Sequence, residues 1–398
     1  MEIKLKENHL YVYQQFALYG YLVSIILGGN ALINLCLAIT ILVFLLDRNI
    51  YKKRVINDIP MPVYLIMGLG FWLLLSIFWT ESHGEQLIEG IRKTRIYFLF
   101  FIMWIIFYNR PAKAIEKIIT VLYVALIINM AITYAASFGI ITLEQGLSLK
   151  NRIVFGHESA ILLILCIFYY LERSVGNTYF HIAITILCVY AAYFIEDGRG
   201  GYVLTSAVLI SWIMLKNTFS PNKRTISVII FTSALLILLS SGHISKRINY
   251  TINEVNNIDL NANHSSLEVR INKISAGLEA IEDNYVIGSG LGSYKSVTQE
   301  YEVNNYKIGV GNNPLNQYIL IFVEGGVIAF ILLILFLYSI ANREKNYRSN
   351  LMTTLSIVII LASAFNSILY DMSDGYLFAT LVALFLRLTS IKNTDFAK

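Results

Sequence analysis

Apolar runs of about 14 to 23 residues recur from one end of this chain to the other. A helix needs about 20 apolar residues to cross the hydrocarbon of a bilayer. That recurrence constrains the fold more than any motif does. Composition agrees: of 398 residues, 56% are hydrophobic and 14% charged, and mean hydropathy is +0.61. A soluble domain carries roughly a quarter charged residues. An ordinary cytosolic domain, a disordered chain and a disulfide scaffold are therefore disfavoured. The net charge of +5 is spread over many loops, so no nucleic-acid partner is expected. Cys36, Cys166 and Cys188 lie in apolar runs without paired spacing. They read as small core residues, not as disulfide or metal ligands.

Backbone groups in hydrocarbon must be paired within the chain, so the spans should be helices. A lipid-facing barrel would need alternating strands of about ten residues, and these are absent. Twelve candidate spans lie near 11–29, 31–46, 61–79, 96–108, 118–138, 155–171, 180–195, 202–215, 226–240, 316–338, 351–369 and 376–390. The predicted class is an all-α polytopic membrane protein of about 12 transmembrane helices. About nine spans fill 1–240, a polar loop occupies 241–315, and about three spans fill 316–398. The first run lacks a small-residue cleavage site and leads straight into the second, so it is expected to remain as a span.

Lysine and arginine orient the bundle. With the N-terminus inside, 19 of the 31 fall on inner segments and 12 on outer ones. Both termini are then expected in the cytoplasm, and the 241–315 loop on the outer, periplasmic face. Within that loop Leu267, Ile271, Ile274, Leu278 and Ile281 recur at steps of four and three, one apolar stripe of a helix. Such a helix can lie on the membrane surface or pack its stripe inside a small loop subdomain; both readings stand.

Four polar clusters sit at the outer ends of spans. They are Lys150 to Glu158, Glu196 to Tyr202, Ser265 to Arg270 and Asn312 to Tyr318. Arg199 stands out, with Gly198 before it and Gly200 and Gly201 after it. Glycines allow a tight turn and close approach of a ligand, and an arginine near membrane depth needs an anion or a water-filled cavity. The alternatives are an ion pair with Glu196 or Asp197, or snorkelling into headgroups. Arg152 and Arg270, if they converge with Arg199, complete a clamp suited to pyrophosphate, because guanidinium groups grip phosphate oxygens in a forked geometry. Glu324 lies inside an apolar run, and structural pairing and catalysis suit it equally. His157 is a candidate base. The run Gly288-Ser-Gly290-Leu-Gly292 has no strand–turn–helix context and reads as a turn. There is no Walker-type phosphate loop and no histidine pair at metal-site spacing.

In this order the pieces resemble the O-antigen ligase and polymerase family of bacterial inner-membrane glycosyltransferases. The resemblance rests on Gly198-Arg199-Gly200-Gly201-Tyr202 opening a span, and on Val269-Arg270-Ile271 leading a helix that ends in Asn284-Tyr-Val-Ile-Gly288-Ser-Gly290-Leu-Gly292. The third element is Asn313-Pro314-Leu315-Asn316-Gln317-Tyr318, followed by Glu324 and Gly326. The detailed likeness covers about 196–330. It implies a donor glycan on undecaprenyl pyrophosphate and, as acceptor, either a lipid-linked repeat unit (polymerase) or lipid A–core (ligase). It implies no cofactor and no required metal. Arg199, Arg270 and Arg152 would hold the pyrophosphate. Asn313, Asn316 and Tyr318 would form the acceptor side, and His157, Glu158, Glu196, Asp197 and Glu324 are the candidate catalytic carboxylates and base. The chain departs from the family at Leu315, where its ligases carry a histidine proposed to activate the acceptor. Leucine cannot take a proton, so the departure favours polymerase. A transporter is the rival from another class, but transport sites sit near the midplane, where most of these spans lack polar residues. An envelope scaffold would explain the composition but not the outer-face arginines.

Overall fold

Eleven of the twelve predicted spans coincide with helices in the computed structural model. It describes residues 2–47, 58–108, 110–143, 148–173, 175–195, 198–215, 249–250, 252–254, 256, 266–298, 302–303, 306–307, 313–342 and 347–391. The predicted span 226–240 lies outside the described residues, as do Glu196 and Asp197. We label the helices α1 (Glu2–Leu27), α2 (Asn30–Leu45), α3 (Met61–Leu75), α4 (Glu85–Tyr108), α5 (Ala112–Ser137), α6 (Arg152–Ile164), α7 (Thr178–Tyr190), α8 (Arg199–Leu215), α9 (Ser266–Asp283), α10 (Tyr294–Thr298), α11 (Gln317–Ala341), α12 (Tyr347–Phe365) and α13 (Met372–Ser390). A π-helical stretch extends α6 to Leu171 and α7 to Ile195. Two-residue strands, Glu302–Val303 and Tyr306–Lys307, pair antiparallel after α10.

Among the described residues, seven helical segments are long and apolar enough to cross a membrane, and Asn30–Leu45, Gly200–Leu215 and Asn350–Phe365 are shorter apolar helices. The run predicted at 96–108 is the second half of α4, whose first half carries Glu85, Glu89, Arg92, Lys93 and Arg95. Local chemistry sets the helix starts. Pro60 and Pro111 sit in extended backbone just ahead of α3 and α5, where proline's fixed φ and missing N–H do no harm. Asn151, Asn177, Asn316 and Asp371 cap α6, α7, α11 and α13, each accepting from a first-turn amide. Such a cap is worth about 1 kcal/mol.

The helices run alternately between two ends, and side chains tie each end. At one end Tyr376 donates to Asn34 (2.9 Å) and Arg95 donates to the Met372 sulfur (3.2 Å). At the other, Arg110 donates to Gln14 (2.7 Å), Gln14 to Asp47 (3.1 Å), and Arg387 to the Arg110 carbonyl (3.1 Å). The segment Arg152–Leu171 is the hub: its apolar 18-residue window is 94% buried, against 33% for Thr178–Ile195. Leu35, Phe71 and Ile186 are exposed on peripheral helices, as expected of surfaces that meet lipid.

The helix predicted in the polar loop exists, but its stripe is displaced. Glu268, Asn272, Ala276 and Ala280 are buried, while Leu278 is exposed. The reason is close approach to α11: a methyl placed on Gly277 would lie 2.4 Å from Ile319. Ala276 and Ala280 pack with Tyr294, Leu320 and Val323. Small residues at a step of four win this face because larger ones would hold the helices apart.

Candidate functional site

The first element of the site is the crossing of α6 and α8. A methyl on Gly156 would come within 3.0 Å of the Gly201 Cα, and one on Gly198 within 3.4 Å of the Arg152 carbonyl oxygen. Glycine on both helices lets their backbones touch. The crossing sets the N-termini of α6 and α8 side by side, so Arg152 and Arg199 open two adjacent helices. Arg152 is exposed. The Arg199 backbone is described as the first residue of α8; its side chain lies outside the described residues. Helix N-termini carry partial positive charge, which favours anions.

The second element is α12, which runs antiparallel to α8. Asn350 donates to the Leu215 carbonyl (3.3 Å) and joins their far ends. The C-terminal end of α12 therefore lies at the level of Arg199. There Arg270 on α9 donates to the Phe365 carbonyl (2.7 Å). The three arginines read from the sequence thus belong to segments that meet at one end of the bundle. Lys273, one turn along α9, donates to the Asn313 carbonyl (3.1 Å).

Asn313, Asn316 and Tyr318 build this corner rather than projecting from it. The Asn313 side-chain oxygen accepts from Ser367 (2.6 Å) and from the Leu315 amide (2.8 Å). Asn316 caps α11 and donates to the Ala364 carbonyl (3.1 Å). Gln317 accepts from the Leu369 amide (2.8 Å), and Tyr318 donates to the Ile360 carbonyl (2.9 Å). Between them Leu315 has φ 55°, the one positive φ outside glycine among the described residues.

Below the arginines lies an enclosed polar layer. His157 Nδ1 is 2.8 Å from Asp374 Oδ2, with the pair 2% and 0% exposed. Glu158 takes Lys150 at 3.0 Å and Asn129 at 2.5 Å. Lys150 also donates to the Ile25 carbonyl. Toward the surface, burial and then Asp374 push the Asp371 carboxyl up from its ordinary value. Burial holds the Lys93 ammonium down, against the opposing pull of Glu89 and Asp371. Buried ions need such partners, because desolvation costs several kcal/mol per ion.

Glu324 is 3% exposed and accepts from the Gly292 backbone. It stands where α11 kinks, at Gly326 (φ 66°). The glycine run read as a turn, with φ of 72°, 91° and 75° at Gly288, Gly290 and Gly292, docks on that kink. Ser289 and Gly290 donate to the Val323 and Glu324 carbonyls (2.8 and 3.0 Å), and Val327 donates back to Tyr285 (2.8 Å). Trp72 donates to the Gly325 carbonyl (2.7 Å) and Trp79 to that of Gly288 (3.2 Å).

The end of the bundle thus gathers Arg152, Arg199 and Arg270 on converging segments, with His157, Glu158 and Glu324 enclosed beneath. The sequence reading missed Asp374, Asp371 and Lys93, and used Lys150 and Lys273 only as loop charges. The Asp371-Met-Ser-Asp374 spacing ahead of an apolar run was a visible signal, but it marks a helix start as readily as a site. Residues 184–334, which hold Arg199, Arg270, Asn313 and Glu324, match the family model described as O-antigen ligase. No curated protein matches the chain.

Proposed function

From the match of residues 184–334 to the O-antigen ligase family model, we propose that the chain transfers a glycan from undecaprenyl pyrophosphate on the outer face of a bacterial inner membrane, as a repeat-unit polymerase. The observation that carries this reading is that the segments bearing Arg152, Arg199 and Arg270 meet at one end of the bundle. An acceptor hydroxyl attacks the anomeric carbon, and the bond from that carbon to the pyrophosphate oxygen breaks with inversion. The lipid pyrophosphate leaves with the electron pair. Its growing negative charge is met by cations already in place, the arrangement that lowers such a barrier most. The hydroxyl proton passes to a base. A base must come within hydrogen-bond reach of that hydroxyl, and His157, Glu158 and Glu324 are enclosed. Glu196 and Asp197, beside Arg199 in sequence, therefore take that role in the proposal.

Leu315 favours polymerase over ligase, because nothing at that position can activate lipid A–core. The test is a deletion strain carrying wild-type or Arg199→Ala protein, read on a lipopolysaccharide gel with extraction of carrier-linked glycan. The variant should reach the membrane normally, with core capped by a single repeat unit. Bare core with long glycan on the carrier would assign the ligase reaction instead. Normal glycan from Arg199→Ala would overturn the clamp.

A further inference from the structure

The turn that docks on the α11 kink is divided along its length. Gly288 to Leu291 is buried, and Leu291 joins the main apolar core of the bundle. Ala276 and Ala280 of α9 and Tyr294 of α10 belong to a smaller cluster. Thr80 donates to the Leu291 carbonyl (2.8 Å), so the buried half is held from α3 as well as from α11. Just before it, Tyr285, Val286 and Ile287 are exposed, at 60%, 45% and 42%. Their backbone is nonetheless fixed: Val327 donates to the Tyr285 carbonyl (2.8 Å) and Gly288 to that of Asn284 (2.9 Å). Apolar residues scattered singly on a surface are ordinary, but a contiguous patch marks a contact.

The level of the turn says what it contacts. The segment Met61–Trp79 is 19 residues, about 30 Å long, which matches the hydrocarbon thickness of a bilayer. Its lipid-facing stripe continues to that end: Phe71, Leu75 and Phe78, at steps of four and three, are exposed, Phe78 by 86%. Trp79 and Thr80 hold the turn at the same end. Polar residues mark the water side, for Glu81, Glu282, Asp283 and Asn284 are exposed, and Asn284 donates to Glu81 (3.4 Å). Tryptophan and tyrosine collect at such boundaries.

We propose that Tyr285, Val286 and Ile287 form a lipid-contact site, set among the headgroups and upper acyl chains of the leaflet at the arginine end of the bundle. The turn thereby anchors the polar loop to the membrane. It holds α9, which ends at Asp283, at a fixed height relative to the bilayer. The membrane contact that the sequence allowed for α9 then falls to the turn that follows it.

The test places an environment-sensitive fluorophore on Ile287→Cys of the full-length protein, in a Cys36→Ser background, Cys166 and Cys188 being buried. The protein is held in phosphatidylethanolamine–phosphatidylglycerol nanodiscs doped with lipid that carries a nitroxide near the headgroup or at mid-chain. Phe71→Cys is the lipid reference and His83→Cys, exposed between α3 and α4, the aqueous one. The label at 287 should emit to the blue of the label at 83, resist iodide, and be quenched most by the shallow nitroxide. Val286→Cys repeats the measurement should Ile287→Cys lower the melting temperature. Iodide quenching equal to that at 83 would put the turn in water and overturn the proposal. Protection from iodide and from both nitroxides would mean that protein covers the patch, and would overturn it too. Quenching strongest from the mid-chain nitroxide would overturn the interfacial level.

Discussion

His157 and Asp374 meet at 2.8 Å across α6 and α13, and both are enclosed, at 2% and 0% side-chain exposure. The Phe378 ring packs 5.9 Å from the imidazole. The contact joins the hub helix of the first part of the chain to its last helix, one turn below the end where the arginines gather. With the Lys150–Glu158 pair beside it, it makes a polar layer inside an apolar bundle.

Removing one member of that layer should cost more than removing both. Asp374→Asn leaves His157 without its carboxylate, and breaking a buried pair from one side costs about 3–5 kcal/mol. Joint His157→Leu and Asp374→Leu should recover much of that loss, because apolar replacements need no partner. Thermal unfolding in detergent compares the three proteins. Equal melting of Asp374→Asn and wild type would show that the pair contributes little.

The backbone at Leu315 makes a separate prediction. A φ of 55° lies in the left-handed region, which costs an L-residue about 1–2 kcal/mol and which asparagine, aspartate and histidine tolerate better. Leu315→Asn should stabilise the protein by about 1 kcal/mol, and Leu315→Ile should destabilise it, because β-branching tightens the same clash. A melting series orders the three. The reverse order would mean that packing of the leucine side chain outweighs its backbone.

The kink of α11 has no room for a side chain. At Gly326 a methyl would lie 2.3 Å from the Val286 oxygen and 2.6 Å from the Gly288 nitrogen, on backbone with φ 66°. Gly326→Ala should cost about 2–5 kcal/mol, strain and overlap together. The cost should fall first on the docked 284–293 turn. Limited proteolysis of membranes should show new cleavage there, with Ala329→Gly as the control. An uncut turn would refute the docking role.

Much of this architecture is legible in one dimension. Apolar runs of bilayer length leave helices as the way to pair the backbone, so eleven predicted spans return as helices. Asparagine caps α6, α7 and α11, a local chemistry that the reading of the sequence did not single out. The turn at Gly288 to Gly292 was visible because three glycines in five residues suit positive φ. The three short motifs that carry the resemblance lie within residues 184–334, the region that matches the O-antigen ligase family model.

What the linear order could not supply is which helix lies against which. The α9 stripe was misplaced because hydrophobicity marks which residues prefer burial, whereas the partner's shape selects which fit, and at Gly277 and Ala276 small size prevailed. Asp374 and His157 sit in different apolar runs, and no local periodicity links them. The joining of Arg152 to Arg199 depends on the Gly156–Gly201 crossing, and that of Arg199 to Arg270 on α12 lying antiparallel to α8. Sequence alone determined the solvent, the helices, their caps and the chemistry available at their ends. Tertiary packing decided which of those ends share a site, because contacts between distant segments follow from shape and partner, which local propensity does not encode.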